Sequence, residues 1–414
     1  MIKKILREKI FCGLDLGSKK IKAAVLRVNN PRDIEIIDVQ ESDTHGFKNA
    51  SVQDLGELSE CVHSILSSLS KKIKVKLKEI QLGVNGDLID VRQATTAIPL
   101  IDKGSKIITS RDIKRVSDQN KLLGTKMEEE ILHDLPQAYK IDDDNLALNP
   151  IGLYGRKLSA SSLMILSSAN RVRNITRSVH HAGYDVVNLM YSSYVASDVA
   201  LDEEQKLAGC VLVDIGSTVT SILVFKEGII RYVNKISFGG NNFTEGISRK
   251  INLPFDLSES IKKAHAVVTD SDQRRDEEIL IKRENSYVPI KKKEIYQAIE
   301  PESQCLIETI QDSIKNSGLF DQINSEIVMV GGGSLLPGLV ERIGKEVNLP
   351  TKLGKINISK GKQHVNSSFF AQAVGLAYIG FKRNYGYDSA LDDYNLDFKR
   401  KVIEKFKELY HEYF

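Results

Sequence analysis

Cysteine is scarce. The four in 414 residues, Cys12, Cys61, Cys210 and Cys305, stand far apart and never form C-x-x-C. Two lie inside apolar, strand-like runs, so they read as buried free thiols in a reducing compartment. Neither sign of charge dominates. Lys and Arg number 58 against 55 Asp and Glu, a net charge of +3, without the basic excess of a general nucleic-acid binder. No apolar run approaches the ~20 residues of a membrane span, and Met1–Ile10 is too charged for a signal-peptide core. These absences predict a soluble, cytoplasmic protein unless another device attaches it to a membrane. Familiar catalytic signatures are missing too: no G-x-x-x-x-G-K-[ST], no H-E-x-x-H, no G-x-S-x-G and no Cys/His metal spacing. The eight histidines are scattered, and His180–His181 reads as a helix-surface pair because no third ligand is in view.

What is present is one short phrase that occurs twice. Cys12-Gly13-Leu14-Asp15-Leu16-Gly17-Ser18 precedes Lys19-Lys20-Ile21-Lys22-Ala23-Ala24-Val25-Leu26. Val211-Leu212-Val213-Asp214-Ile215-Gly216-Ser217 precedes Thr218-Val219-Thr220-Ser221-Ile222-Leu223-Val224. Each copy reads as strand, tight turn, strand. A glycine lets the turn close, and its N–H groups then face a concavity suited to an anion. The Asp at the same corner supplies a carboxylate suited to hydrated Mg²⁺. Two such corners predict two half-sites facing each other across a phosphate.

The length suits two domains or more, and 41% apolar residues allow sizeable cores. Ser51–Leu69 reads as a helix capped by Ser51. The alternating run Lys71–Lys78 reads as a solvated edge leading into a strand at Ile80–Val84, in preference to a nucleic-acid patch. From 85 to 166 the texture changes to a small α+β insert: strands at Leu88–Val91 and Thr95–Leu100, helices at Ser110–Leu123 and Met127–Leu135, the latter stopped before Pro136. Residues 167–194 return to the first domain. A second domain is expected over 195–360, with a smaller subdomain near 240–305. In it, Glu326–Val330 runs into a third glycine corner, Gly331-Gly332-Gly333-Ser334, whose bare backbone an adenine or ribose ring can approach. Residues 361–382 are expected to close the first domain, and 383–396 read as a linker.

The last stretch, 397–414, is amphipathic. Phe398, Val402, Ile403, Phe406, Leu409, Tyr410, Tyr413 and Phe414 recur at helical spacing on one side, framed by lysine and arginine. Such a helix lies in the headgroup plane of a bilayer. Its small net charge means that the apolar face must dominate, with modest help from anionic lipid.

The order of hairpin, second hairpin and Val330-Gly331-Gly332-Gly333-Ser334 resembles the nucleotide site of the actin/sugar-kinase/DnaK-type ATPase fold. Further stretches resemble the bacterial cell-division protein FtsA: Gly46-Phe47-Lys48 before Val52-Gln53-Asp54-Leu55, Leu132-His133-Asp134-Leu135-Pro136-Gln137-Ala138-Tyr139, and Asn149-Pro150-Ile151-Gly152 before Gly155-Arg156-Lys157-Leu158. The place of the insert and the tail behind a polar linker resemble it as well. The resemblance covers essentially the whole chain. It implies two duplicated α/β domains of actin type, a small α+β insert in the first and a C-terminal amphipathic helix. It implies that ATP and Mg²⁺ bind at Asp15, Gly17, Ser18 and Lys19 of the first loop and at Asp214, Gly216, Ser217 and Thr218 of the second, with Asp15 and Asp214 on the metal side. Glu259 and Lys262, on spacing alone an ordinary surface i, i+3 pair, match the family's ribose-side helix. Gly331, Gly332, Gly333 and Ser334 match its adenosine motif.

The resemblance also implies self-association into filaments with the help of the insert, and attachment to the inner face of the cell membrane at the division site. There the chain would tether FtsZ filaments and recruit other division proteins; nucleic acid is not among its expected partners. The chain departs from the pattern in places. Thr218 stands for a glycine and Ser221 for an acid, and the segment matching the family's interdomain hinge, Tyr191-Ser192-Ser193-Tyr194, lacks the Gln or Glu that positions water in faster ATPases of this fold. ATP binding survives such changes more readily than hydrolysis does, so at most slow ATPase activity is expected. Glu302 stands near a position where FtsA proteins often carry an Arg in the FtsZ-receiving subdomain. Two other readings share the fold: a PilM-like adaptor of type IV pilus assembly, and a sugar kinase or turnover ATPase.

Overall fold

The computed structural model describes residues 9–30, 33–101, 104–142, 145–269, 277–283, 286–358 and 367–385. The 397–414 helix and its eight apolar positions lie outside them.

The chain opens with three antiparallel strands, β1 (Lys9–Leu16), β2 (Lys20–Asn30) and β3 (Asp33–Asp43). A ribbon of β4 (Phe47–Lys48) and β5 (Ser51–Val52) leads to helix α1 (Leu55–Ile73) and strand β6 (Glu79–Val84). Helix α1 is capped by Asp54, whose carboxylate accepts from Glu57 N at 2.9 Å. Ser51, the expected cap, is instead in β5. The run Lys71–Lys78 is not a sheet edge either. It is the end of α1, a left-handed Lys74 and a loop.

The insert holds β7 (Ile89–Pro99), β8 (Lys106–Ile107), α2 (Ser110–Gly124), β9 (Glu129–Ile141), β10 (Asn145–Ala147), β11 (Tyr154–Gly155) and β12 (Lys157–Ser168). Its main sheet runs β10-β9-β12-β7, with α2 packed against it. The helix expected at Met127–Leu135 is therefore largely strand β9. Pairing along β12 outweighs the helical spacing, and Pro136 is accommodated where the register shifts opposite Ser162. Strand β9 also reaches the second domain: Gln137 Nε2 donates to Ile230 O at 2.9 Å, and Arg231 Nη1 donates to Gln137 O at 3.0 Å.

The chain then returns through α3 (Ala169–His181), β13 (Asp185–Tyr191), α4 (Ser192–Ala200) and α5 (Glu203–Ala208). The second domain holds β14 (Cys210–Ile215), β15 (Thr220–Lys226), β16 (Ile229–Ile236), α6 (Gly240–Ile251), α7 (Phe255–His265), β17 (Glu278–Arg283), β18 (Ser286–Lys291), α8 (Lys292–Asn316), β19 (Ile327–Val330), α9 (Leu339–Val347) and β20 (Thr351–Leu353). Helix α10 (Ser367–Asn384) closes the fold, running two residues into the stretch expected as linker.

The two large sheets are built alike. One runs β13-β6-β1-β2-β3, the other β20-β19-β14-β15-β16. In each, an antiparallel meander is extended by two parallel strands on the far side of its first strand. Strands β1 and β14 are central and covered on both faces, which is why they read as continuous apolar runs. Along β14 the side chains alternate: Cys210 and Leu212 join the core shared with the first domain, while Val211, Val213 and Ile215 join the second domain's own core. Helix α10 lies tight on the first sheet. A Cβ on Gly13 would meet the Ala373 carbonyl oxygen, and a Cβ on Gly375 the Val195 carbonyl oxygen.

Candidate nucleotide-binding site

The C-terminal ends of β1 and β14 bring the two repeated corners to the mouth of one cleft. Each turn is closed the same way: Gly17 N donates to Lys20 O at 3.2 Å, and Gly216 N to Val219 O at 3.0 Å. The cleft encloses about 520 Å³ and is lined by both loops, by α7 and by the third glycine corner. Ser334, although next to that corner, is buried beneath it, its Oγ donating to Gly331 O at 2.7 Å.

The two carboxylates are held by a continuous polar chain. Asp15 Oδ1 accepts from Ser192 Oγ at 2.6 Å, and its Oδ2 pairs with Lys22 Nζ at 3.2 Å. Lys22, buried on β2, spends its remaining protons on Gln372 Oε1 at 2.9 Å and Phe369 O at 3.0 Å. Gln372 turns its amide to Asp214 Oδ1 at 2.6 Å. Asp214 Oδ2 accepts from Ser193 Oγ at 2.6 Å and Asn85 Nδ2 at 3.2 Å. Burial pushes the Asp214 carboxyl up from its ordinary value; hydrogen bonds from Ser193 and Gln372 pull the other way, and the charge of Asp15 adds to the rise. The hinge serines, at the junction of β13 and α4, therefore bind one carboxylate each.

On the far wall, Glu259 of α7 collects four donors. Its Oε2 takes Thr244 Oγ1 at 2.6 Å and Lys262 Nζ at 2.7 Å; its Oε1 takes Lys19 Nζ at 2.9 Å and Lys263 Nζ at 3.4 Å. Burial works against its charge, but Lys262, Thr244 and Lys19 together hold its pKa down at about 2. Burial lowers the pKa of Lys262, against the pull of Glu259. Gly240 O and Thr244 Oγ1 also accept from Lys262 Nζ, at 2.6 and 2.8 Å. With three acceptors around it the ammonium form is retained, and the ionised pair is the correct description.

The second loop is braced from behind by the start of α6. Gly240 N donates to Gly216 O and Asn241 N to Ser217 O, both at 2.8 Å. A Cβ on Gly239 would lie 2.6 Å from the Ser217 carbonyl carbon. Thr218, standing for a glycine, adopts no left-handed conformation, so the loop is formed without one there. At the third corner Gly331 has φ +86, and a Cβ on it would strike Asp214 Oδ1; Gly333 is as close to the Ile215 side chain.

All fourteen expected loop, ribose-side and adenosine-side residues thus occupy or underlie one cleft. Lys22, Asn85 and Gln372 are site residues that the sequence does not announce, and Ser192 and Ser193, notable there only for lacking an acid or amide, bind the two carboxylates. A lysine inside an apolar strand run and a lone glutamine among Phe369, Phe370, Ala371, Ala373 and Val374 were the available signals.

A family model for "Cell division protein FtsA" matches residues 211–375, and one for the "SHS2 domain inserted in FTSA" matches residues 86–166. The two together span more than half of the chain. The chain belongs to the FtsA family. It is 27% identical to the cell division protein FtsA of Buchnera aphidicola over 93% of this chain and 94% of that one. With the Escherichia coli K12 protein of the same name it shares 25% identity over 90% of each. Among solved structures, a PilM–PilN type IV pilus biogenesis complex superposes with a TM-score of 0.66 at 16% identity, covering 89% of this chain and 98% of that one. MreB5 of Spiroplasma citri bound to ADP superposes at 0.53 and 14%, covering 91% and 98%. At such identities these two speak for the actin-like fold alone.

Proposed function

We propose that this FtsA-family chain binds ATP·Mg²⁺ in the cleft, polymerises, and tethers FtsZ filaments to the cytoplasmic face of the membrane through residues 397–414. The observation that carries the nucleotide part is the facing pair of glycine corners whose carboxylates are joined through Lys22 and Gln372. The cleft volume suits a nucleotide, and the bare backbone at Gly331–Gly333 leaves space that side chains would fill. ATP would lie with its phosphates between the Gly17–Lys19 and Gly216–Thr218 loops and its ribose beside Glu259 and Lys262. Mg²⁺ neutralises phosphate charge when bound. Every oxygen of Asp15 and Asp214 already accepts a hydrogen bond or pairs with Lys22, so these carboxylates would hold the ion through its waters.

Hydrolysis is expected to be slow. Ser192 and Ser193 bind the two carboxylates, and the hinge offers no acid to orient water. Nucleotide then acts chiefly as an assembly ligand. A single tail helix would bind membrane reversibly, and a filament presenting many would bind far more firmly. Other division proteins would join the assembly at the division site.

Electron microscopy on lipid monolayers with Mg·ATP, with and without FtsZ, tests this reading. Filaments on lipid that gather FtsZ are expected; FtsZ filaments that remain unattached contradict the tether. The pilus-adaptor reading shares the fold and suits the altered second loop at Thr218 and Ser221, and recovery of pilus components but no FtsZ from lysate would revive it.

A further inference from the structure

The five lysines of Lys71–Lys78 have no part in the cleft. Strands β1, β6 and β13 are parallel. Their last residues approach the cleft, so their first residues, Lys9, Glu79 and Asp185, lie at the opposite end of the first domain. At ~3.3 Å per residue, β1 separates the two ends by roughly 25 Å. The run sits there, immediately before β6. Lys71, Lys72, Lys74, Lys76 and Lys78 are all exposed, five in eight residues. Lys72 pairs with Asp38 at 2.8 Å and Lys78 with Asp185 at 3.6 Å. Lys71, Lys74 and Lys76 have no ion pair among the described residues. Glu79 is the remaining exposed acid beside the run.

Helix α10 ends at the same end of the first domain. Lys9 Nζ donates to Asn384 Oδ1 at 2.5 Å and lies over the Tyr385 ring, 5.1 Å from its centroid. Arg383 Nη1 donates to Asn188 Oδ1 at 2.6 Å, on β13. The β1–β6 register, with Gly13 opposite Gln81, sets Phe11 level with Glu79. The chain therefore continues toward its amphipathic stretch from the end that carries the unpaired lysines.

We propose that this basic end is a second membrane contact, in which Lys71, Lys74 and Lys76 face an anionic lipid surface once the tail has brought it near. The inference rests on the membrane reading above. The tail carries little net charge of its own, so attraction to anionic headgroups comes from the body. Each lysine contributes only within about one Debye length, ~8 Å at physiological salt. The contact therefore operates only where this end of the body is held close to the bilayer. It also sets orientation: the cleft points away from the bilayer, open to solvent nucleotide.

The test is flotation of the full chain with neutral phosphatidylcholine vesicles and with vesicles containing phosphatidylglycerol. The variant Lys71→Gln/Lys74→Gln/Lys76→Gln is compared with Lys250→Gln/Lys315→Gln/Lys345→Gln, three exposed lysines of the second domain. Thermal melts establish that both are folded. The first variant should lose on the order of 10- to 100-fold in affinity for anionic vesicles and little for neutral ones; the second should match the unmodified chain. Equal loss in both variants, or none in the first, overturns the patch while leaving the tail's role standing. If the unmodified chain floats with neither vesicle, the membrane reading falls and the patch with it. A duplex DNA probe shifted by the unmodified chain but not by the first variant would assign the lysines to nucleic acid instead.

Discussion

Lys19 Nζ lies 2.9 Å from Glu259 Oε1, so the tip of the first loop is tied across the cleft to helix α7 of the second domain. The lysine also passes over the Phe255 ring, 5.5 Å from its centroid. Its side chain is 31% exposed and that of Glu259 only 10%. The pair spans the mouth through which a nucleotide would leave. Lys19→Met is expected to speed release of a fluorescent ATP analogue about five-fold, the scale of a part-exposed ion pair. Rising salt should narrow the gap between the two proteins. Stopped-flow displacement reads both effects, and equal release rates at low salt would refute the clasp.

Glu259 ties cleft chemistry to stability. Its pKa is about 2 in the fold and near the ordinary 4.5 when unfolded. A depressed carboxylate stabilises the fold fully above the unfolded value and loses that contribution as pH falls toward the folded one. Glu259→Gln should therefore cost about 2 kcal/mol at pH 7 and much less at pH 3. Urea midpoints at the two pH values measure the difference.

Asp15 and Lys22 are both buried, at 3% and 7% exposure, and they pair at 3.2 Å. Removing one partner leaves the other charge without compensation. Asp15→Asn should destabilise by about 3 kcal/mol. In Asp15→Asn/Lys22→Met the buried ammonium is gone, and a good part of that loss should return. Thermal melts of the four proteins form the cycle, and strict additivity would rule out the coupling.

His133 joins the insert to the hinge. Its Nε2 accepts from Tyr191 N at 3.0 Å, and burial, reinforced by Arg383, drives its pKa down to about 3. The neutral ring belongs to the fold, so stability is full above the unfolded value near 6.5 and is lost as pH falls from there toward 3. The loss between pH 6.5 and 5 should be about 1.5 kcal/mol. His133→Leu should flatten that slope. It should also cost about 1–3 kcal/mol at pH 7.5, because Tyr191 N loses its acceptor. Denaturant titrations across the pH range check both statements.

Gly239 has φ −160, a backbone that alanine accepts. The obstacle is space: the added methyl would sit 2.6–2.7 Å from Ser217 C and O and Thr218 N. Gly239→Ala should therefore displace the second loop, costing about 1–3 kcal/mol in stability and at least tenfold, roughly 1.4 kcal/mol, in nucleotide affinity. Calorimetric titration alongside a thermal melt reads the two together.

Both corners were legible in the sequence because an Asp-x-Gly-Ser turn between apolar runs is local chemistry. The duplicated sheets follow from the same repeat. The polar chain between the corners was not legible, since Ser192, Ser193 and Gln372 reach Asp15 and Asp214 from 158 to 177 residues away, or from the hinge. Met127–Leu135 satisfies a helical spacing, and only pairing with β12 makes most of it strand β9. Lys71–Lys78 alternates like an edge strand, yet the left-handed Lys74 ends α1 inside it. Periodicity over so short a run does not separate a helix end from a strand.

Whether the cleft holds a nucleotide is tested most directly by titrating the full chain with a fluorescent ATP analogue in Mg²⁺, with unlabelled ATP as competitor. One saturable, competable site is predicted, weakened at least tenfold, roughly 1.4 kcal/mol, by Gly239→Ala. Absence of saturable binding at millimolar nucleotide, or unchanged affinity in a folded Gly239→Ala protein, would contradict the account.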